Sequence, residues 1–262
     1  MILVTPSQEA AARARIVHVN GRDYTIAEYV GAAPKRGHYV AGNEANDNGM
    51  PQGFLVDQPP NAITPPHFHE PNQFQVFVGG SGRMGAHEAT LLTVQYANGH
   101  TPYGPIVAYD EGVRYFTLRQ HWDPGAKYLP ASRGLLRKGN QRTRIKSGIE
   151  REDDAERQAR THAQMESVFP TEEDGLAAWM VRLPANGTLR LPDPAEGGGQ
   201  YLIVASGTML HEGRALDTLS TVYVTAAEPA FDVAAGATGA DILVLQFPRA
   251  GEEISGGGSR SN

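Results

Sequence analysis

Short runs of apolar and β-branched residues, broken every few positions by glycine or proline, set the pattern of this chain. The runs fall at Gly53 to Val56, Phe74 to Val78, Tyr115 to Leu118, Tyr201 to Ala205, Val222 to Thr225 and Ile242 to Phe247. Runs of this length, bounded by turn formers, predict strands, and their recurrence predicts an all-β sandwich or barrel. Helical patterning is sparse. Ile149 to Met165 predicts one helix, opened by Ser147 and Glu150 at capping-box spacing, where each side chain satisfies an end group of the other. Its many charges make it a solvated connector.

The pattern repeats once. Gln73-Phe74-Gln75-Val76-Phe77-Val78-Gly79-Gly80 and Gln200-Tyr201-Leu202-Ile203-Val204-Ala205-Ser206-Gly207 share a layout at an offset of 200 − 73 = 127 residues. Val113 to Arg119 and Asp241 to Phe247 are each a closing strand near the end of a half. A duplicated β domain explains both. The expected division is a first unit over 1–132, a charged, partly helical linker over 133–165, a second unit over 166–250, and a Gly/Ser-rich disordered tail over 251–262.

Composition removes several function classes. With 262 residues, 40% apolar and 20% charged, the chain can bury one large core or two small ones. A net charge of −6 opposes general nucleic-acid or anionic-membrane binding. The basic stretch Arg133 to Lys146 lacks the interleaved aromatics of a base-stacking platform and is expected to be a solvated linker, partly neutralised by the acidic helix after it. No helix-turn-helix pattern is present. The absence of cysteine rules out disulfides, thiolate metal sites and cysteine nucleophiles. No segment resembles a signal peptide or the ~20-residue apolar run of a membrane helix, so the expected location is cytoplasmic.

The chemistry concentrates at His67-Phe68-His69. Imidazoles at i and i+2 of an extended segment share one face. Neutral imidazole is the commonest protein ligand for divalent transition metals. The competing reading is a pair of interior histidines held by hydrogen bonds without metal. Period two puts Gln73, Gln75 and Phe77 on one inward face, as a substrate pocket, with Phe68 and Glu70 pointing away.

These residues resemble the first motif of the cupin superfamily, G-x5-H-x-H-x(3,4)-E-x6-G. His67, His69 and Gly80 match it, Gln73 stands at the glutamate, and Asn61 replaces the leading glycine. The second motif, G-x5-P-x-G-x2-H-x3-N, is matched by Pro102-Tyr103-Gly104, with Val107 where its histidine belongs. Leu191 to Gly199, the corresponding stretch of the second half, holds no histidine. The resemblance is to a bicupin, and it implies two cupin-like β-barrel (jelly-roll) domains joined by the linker, the second degenerate. It implies a divalent transition metal (iron, manganese, nickel, copper or zinc) on His67, His69 and Gln73, with either His100 or Tyr103 completing the site, Tyr103 as phenolate or proton donor. It further implies a small oxygenated organic substrate, dioxygenase chemistry first with isomerase or lyase chemistry next, and a homodimer paired through sheet edges. Two alternatives stand beside this: a metal-free cupin that binds or isomerises a small molecule with His67 and Tyr103 as a base–acid pair, and a structural bicupin without catalysis.

Overall fold

The computed structural model describes residues 1–139 and 141–250, so the expected tail over 251–262 lies outside the described residues. The six apolar runs all become strand, within Gln52–Gln58, Gln73–Met84, Ile106–Arg119, Gln200–His211, Thr221–Val224 and Asp232–Gln246, the last two runs each overshooting by one residue. They assemble into two large antiparallel sheets. The first follows the path Thr143–Lys146, Thr93–Ala97, Gln73–Met84, Ile106–Arg119, Gln52–Gln58, Arg22–Val30, Arg15–Val19. The second follows Ile2–Thr5, Thr221–Val224, Gln200–His211, Asp232–Gln246, Ala177–Leu183, Gln164–Phe169. Neither path returns to its start, so the expected closed barrels are open sheets. In the first half a separate two-stranded ribbon, His67–Phe68 paired with Lys127–Tyr128, supplies part of the missing wall.

The two sheets share one register plan. Gln73 pairs with Arg119 in the first sheet, and Gln200 pairs with Gln246 in the second. Gly80 and Gly207 both have positive φ, 64° and 72°. A Cβ on either would lie 2.1 Å from the Gly112 carbonyl oxygen or 2.2 Å from that of Gly239. Only glycine tolerates both the dihedral and the approach. All four correspondences (73 with 200, 80 with 207, 112 with 239, 119 with 246) carry the offset of 127, so the counterpart of Arg119 is Gln246.

Strand alternation sorts the core into three regions. Phe74, Val76, Phe116 and Leu118 face Tyr201, Ile203, Leu243 and Phe247 in a core shared by both halves. The opposite parity, Phe54, Val56, Phe77 and Tyr115, fills part of the first interior. Trp179, Val181, Leu202, Val204, Ile242 and Val244 fill the second. Each such buried side chain contributes roughly 1.5–3 kcal/mol, so the shared core welds the halves together.

Three boundaries differ from expectation. Ile2–Thr5 pairs with Thr221–Val224, which places the first strand in the second sheet rather than in a unit spanning 1–132. Thr143–Lys146, expected in the linker, is an edge strand on Thr93–Ala97. The helix is confined to Asp154–Ala159 and is opened by Asp153, not Ser147. The Asp153 carboxylate accepts from the N–H groups of Ala155 and Glu156, and Glu156 accepts from the Asp153 N–H. That second capping box wins because the chain just upstream is drawn into the sheet. The basic stretch is neutralised across the halves instead of by the helix: Arg142 meets Glu172 at 3.0 Å and Asp174 at 2.8 Å. No described helix is long and apolar enough to cross a membrane.

Candidate active site

His67 is held from three sides. Its backbone exchanges two hydrogen bonds with Tyr103 (3.1 and 3.0 Å), bringing that turn against the ribbon. Its Nδ1 lies 2.7 Å from the Pro65 carbonyl oxygen, which can only accept, so Nδ1 carries the proton and Nε2 the lone pair. The Tyr103 hydroxyl donates to that Nε2 at 2.8 Å. The His69 ring stands at 88° to it with centroids 5.2 Å apart.

His69 forms a dyad with Asp123. Its Nδ1 donates to Asp123 Oδ1 at 2.7 Å, leaving the lone pair on Nε2. Asp123 is fully buried and also accepts from the N–H groups of Gly125 (2.8 Å) and Glu70 (3.1 Å). Burial works to raise its carboxyl; the neighbouring His69 and Arg119 outweigh this and hold it ionised, well below the usual range. Burial first, then the charged neighbours, push His67 down to about 3 and His69 down to about 4. Both imidazoles are therefore neutral at physiological pH.

A buried guanidinium completes the cluster. Arg119 ends its strand at 1% exposure. Its Nε and Nη2 donate to Gln73 Oε1 at 3.1 and 3.0 Å, and its Nη1 donates to Gln52 Oε1. Asp123 lies 3.9 Å from Nη1 and balances the charge. The other end of the Gln73 amide donates to the Tyr103 oxygen at 2.5 Å. Burial holds the Tyr103 phenol well above its ordinary pKa, so it stays protonated.

Beside the cluster lies a cavity of about 60 Å³. His67, His69, Gln75, Thr117 and Arg119 form its polar end, and Ile26, Phe54, Val56, Tyr115 and Tyr128 much of its apolar wall. That volume holds roughly four to six water-sized groups, well under the ~300 Å³ typical of pockets for drug-sized ligands.

The structure brings His67, His69, Gln73, Gln75 and Tyr103 together. Gln75 lines the cavity at 2% exposure, and its Oε1 has no hydrogen-bond partner. Phe77 is inward but packs on Tyr115 (centroids 5.3 Å) below the cavity instead of lining it. Tyr103 touches His67 and Gln73 without lining the cavity, so its hydroxyl serves the imidazole rather than a ligand. His100 is excluded from the site: a turn with φ 57° sets its ring on Phe68 (5.5 Å), on the outer side, where Nδ1 accepts from the Arg137 N–H. Asp123, Arg119, Thr117 and Tyr128 were not anticipated. For Arg119 and Thr117 a signal existed, because they share strand parity with the inward Tyr115; for Asp123, in a loop, none did.

The donor set suits a divalent ion in one respect. Each imidazole anchors its one N–H, on Nδ1, on an acceptor, as metal-ligating histidines do. The agreement ends there. The His67 lone pair is occupied by Tyr103, the Gln73 carbonyl oxygen is turned onto Arg119, and the end of Gln73 facing Tyr103 is an NH2, which cannot coordinate. Asp123 sits behind His69, and a guanidinium already charges the site. Among the described residues no three His, Asp or Glu side chains converge as a ligand group. Gln73 is therefore not placed as a metal ligand, and the residues present do not fit the ion.

No family model matches this chain, and no curated protein matches it. Solved structures do. A putative dioxygenase from Nostoc punctiforme superposes with a TM-score of 0.57 at 10% identity, over 94% of this chain and 78% of that one. The bacterial pirin YhhW from Escherichia coli, in complex with nickel(II), gives 0.54 at 9% identity, over 95% and 100%. An oxalate decarboxylase variant from Bacillus subtilis gives 0.54 at 10% identity, over 95% and 78%. Identities this low speak to architecture alone: this chain shares the overall fold of these structures.

Proposed function

We propose that this chain is a bicupin whose first half is an enzyme site for a small oxygenated organic molecule, working by proton transfer, and whose second half is a scaffold. The carrying observation is the Asp123–His69 dyad on the cavity wall: a neutral imidazole with its proton fixed on Nδ1 keeps the Nε2 lone pair to accept a proton. A base of this kind contributes typically 10²–10⁴-fold to a proton transfer.

The reaction class that this set supports is tautomerisation next to a carbonyl, an isomerase-type step. His69 Nε2 removes a proton from the carbon bearing a hydroxyl. The C–H electron pair moves into a carbon–carbon double bond, and the carbonyl oxygen takes up negative charge beside Arg119. Return of the proton from His69 to the adjacent carbon, with the hydroxyl proton passing to the former carbonyl oxygen as the hydroxyl-bearing carbon becomes the new carbonyl, completes the isomerisation with no external oxidant or co-reactant. The second half supports the scaffold role: its interior is filled by apolar side chains, and the Gln200–Gln246 pair (2.9 Å) stands where the first half has Gln73 and Arg119.

The test is deuterium exchange. Small α-hydroxy ketones and aldehydes, beginning with hydroxyacetone, are incubated with the protein in D2O and followed by proton NMR. Exchange at the α-carbon above the buffer rate, lost in His69→Gln, is the expected result. A folded wild-type protein that exchanges nothing in the panel, or a His69→Gln variant as active as wild type, refutes the proposal.

A further inference from the structure

We infer that the first-half site is metal-independent and that Arg119 is its built-in cation, supplying from within the chain the positive charge that a divalent ion would bring. The inference rests on the reading of the first-half cavity as the active site, and extends it to the identity of the electrophile.

Three observations carry it. Arg119 is 1% exposed yet lines the cavity, beside both imidazoles. Its hydrogen bonds reorganise the would-be ligands: Gln73 spends its carbonyl oxygen on the guanidinium and thereby turns its NH2 to Tyr103, whose hydroxyl proton fills the His67 lone pair. The chain of donors thus runs from Arg119 through Gln73 and Tyr103 to His67. The charge is balanced once, by Asp123 at 3.9 Å, and a dication added to this low-dielectric space meets an uncompensated repulsion.

The repeat supplies an internal control. At the equivalent register the second half has Gln246, bonded to Gln200 and to the Gly175 carbonyl, above an interior packed with apolar side chains. The fold does not require arginine at this position. Arginine appears in the half that has the cavity and the two histidines. Its guanidinium cannot lose its proton in a protein, so the electrophile is permanent and needs no loading.

The experiment measures metal directly, apart from turnover. Untagged protein purified without chelator is analysed for transition metals, then titrated with Mn(II), Ni(II) and Zn(II) by calorimetry. The expected result is strongly substoichiometric metal and no saturable binding at the site. Near-stoichiometric metal that disappears in His67→Ala/His69→Ala overturns the inference. The triple variant Gln73→Glu/Tyr103→His/Arg119→Gln, checked for folding by circular dichroism, is expected to gain Ni(II) affinity by at least about tenfold. If it folds and binds Ni(II) no better than wild type, these three residues are not what excludes the ion and the inference fails. Should the triple variant not fold, Arg119→Gln alone, which only installs the second half's own residue, is titrated: tighter binding supports the inference and unchanged affinity overturns it. Failed exchange of hydroxy ketones with a metal-free wild type refutes the isomerase reading and leaves this inference standing.

Discussion

The Tyr201 hydroxyl donates to the carbonyl oxygen of Arg119 at 3.1 Å, so a fully buried side chain of the second half holds the strand end that carries the first half's guanidinium. Gln120, the next residue, reaches the Gly198 carbonyl across the same boundary. Tyr201 also packs on Gly53, where an added Cβ would meet its ring at 3.2 Å. The scaffold half thereby positions the site without contributing to the cavity wall.

Tyr201→Phe removes that hydroxyl while keeping the ring. The Arg119 carbonyl loses a partner in a buried setting, at a cost of about 1–3 kcal/mol. Urea denaturation is expected to show the loss as a lower midpoint with unchanged m, and deuterium exchange should slow because Arg119 loosens. A midpoint identical to wild type would remove the coupling.

Asp123→Asn keeps the size but not the acceptors. The carboxylate serves His69 and the N–H groups of Glu70 and Gly125, and an amide nitrogen in either position faces a donor. The variant is expected to be less stable by roughly 1–3 kcal/mol and slower in exchange by about 10²–10⁴-fold, because the base is no longer oriented. Exchange retained at the wild-type rate would show that His69 needs no dyad.

Stability should fall on the acid side. Imidazoles of the unfolded chain take up protons near pH 6.5, whereas burial first, aided by the charges of His69 and Arg119, holds His67 to about 3, and burial first, aided by Arg119, holds His69 to about 4 in the fold. Between these values the unfolded state binds more protons, so unfolding free energy rises with pH. The contribution is complete above about pH 6.5 and is lost as pH falls towards 4, at up to about 1.4 kcal/mol per pH unit for each imidazole. Urea midpoints across this range, with His67→Gln/His69→Gln as the comparison, measure it. A double variant with the same slope as wild type would sink the assignment.

Gly80→Ala and Gly207→Ala test the repeat. Each forces a side chain into a positive-φ position and against a carbonyl oxygen. Each should cost at least about 1–2 kcal/mol from the dihedral alone, in both halves alike. A neutral substitution in one half would mean that its turn differs from its counterpart.

The features legible beforehand are those set by local pattern. Turn residues and β-branched runs marked the strands, and strand parity put Gln73, Gln75 and Phe77 on one buried face, with Phe68, also buried, on the side opposite the histidine pair. The pair His67 and His69 stood out because two neighbours in sequence share a face. His100 misled because its backbone turns at φ 57°, a choice that spacing does not reveal. The helix start misled because a second box, Asp153 and Glu156, competes with Ser147 and Glu150, and the edge strand Thr143–Lys146 takes the residues just before Ser147.

What this amino-acid sequence determined by itself is the all-β plan, its duplication at 127 residues, and the place of the two histidines. Tertiary structure alone decided the partners. Asp123 meets His69 across 54 positions, Arg119 meets Gln73 across 46, and the strand Ile2–Thr5 crosses to Thr221–Val224 at the far end of the chain. Such pairings depend on how whole sheets register and pack. A residue's own neighbourhood says which way it faces, and only the assembled sheet says whether it meets a metal ligand, a carboxylate or a guanidinium.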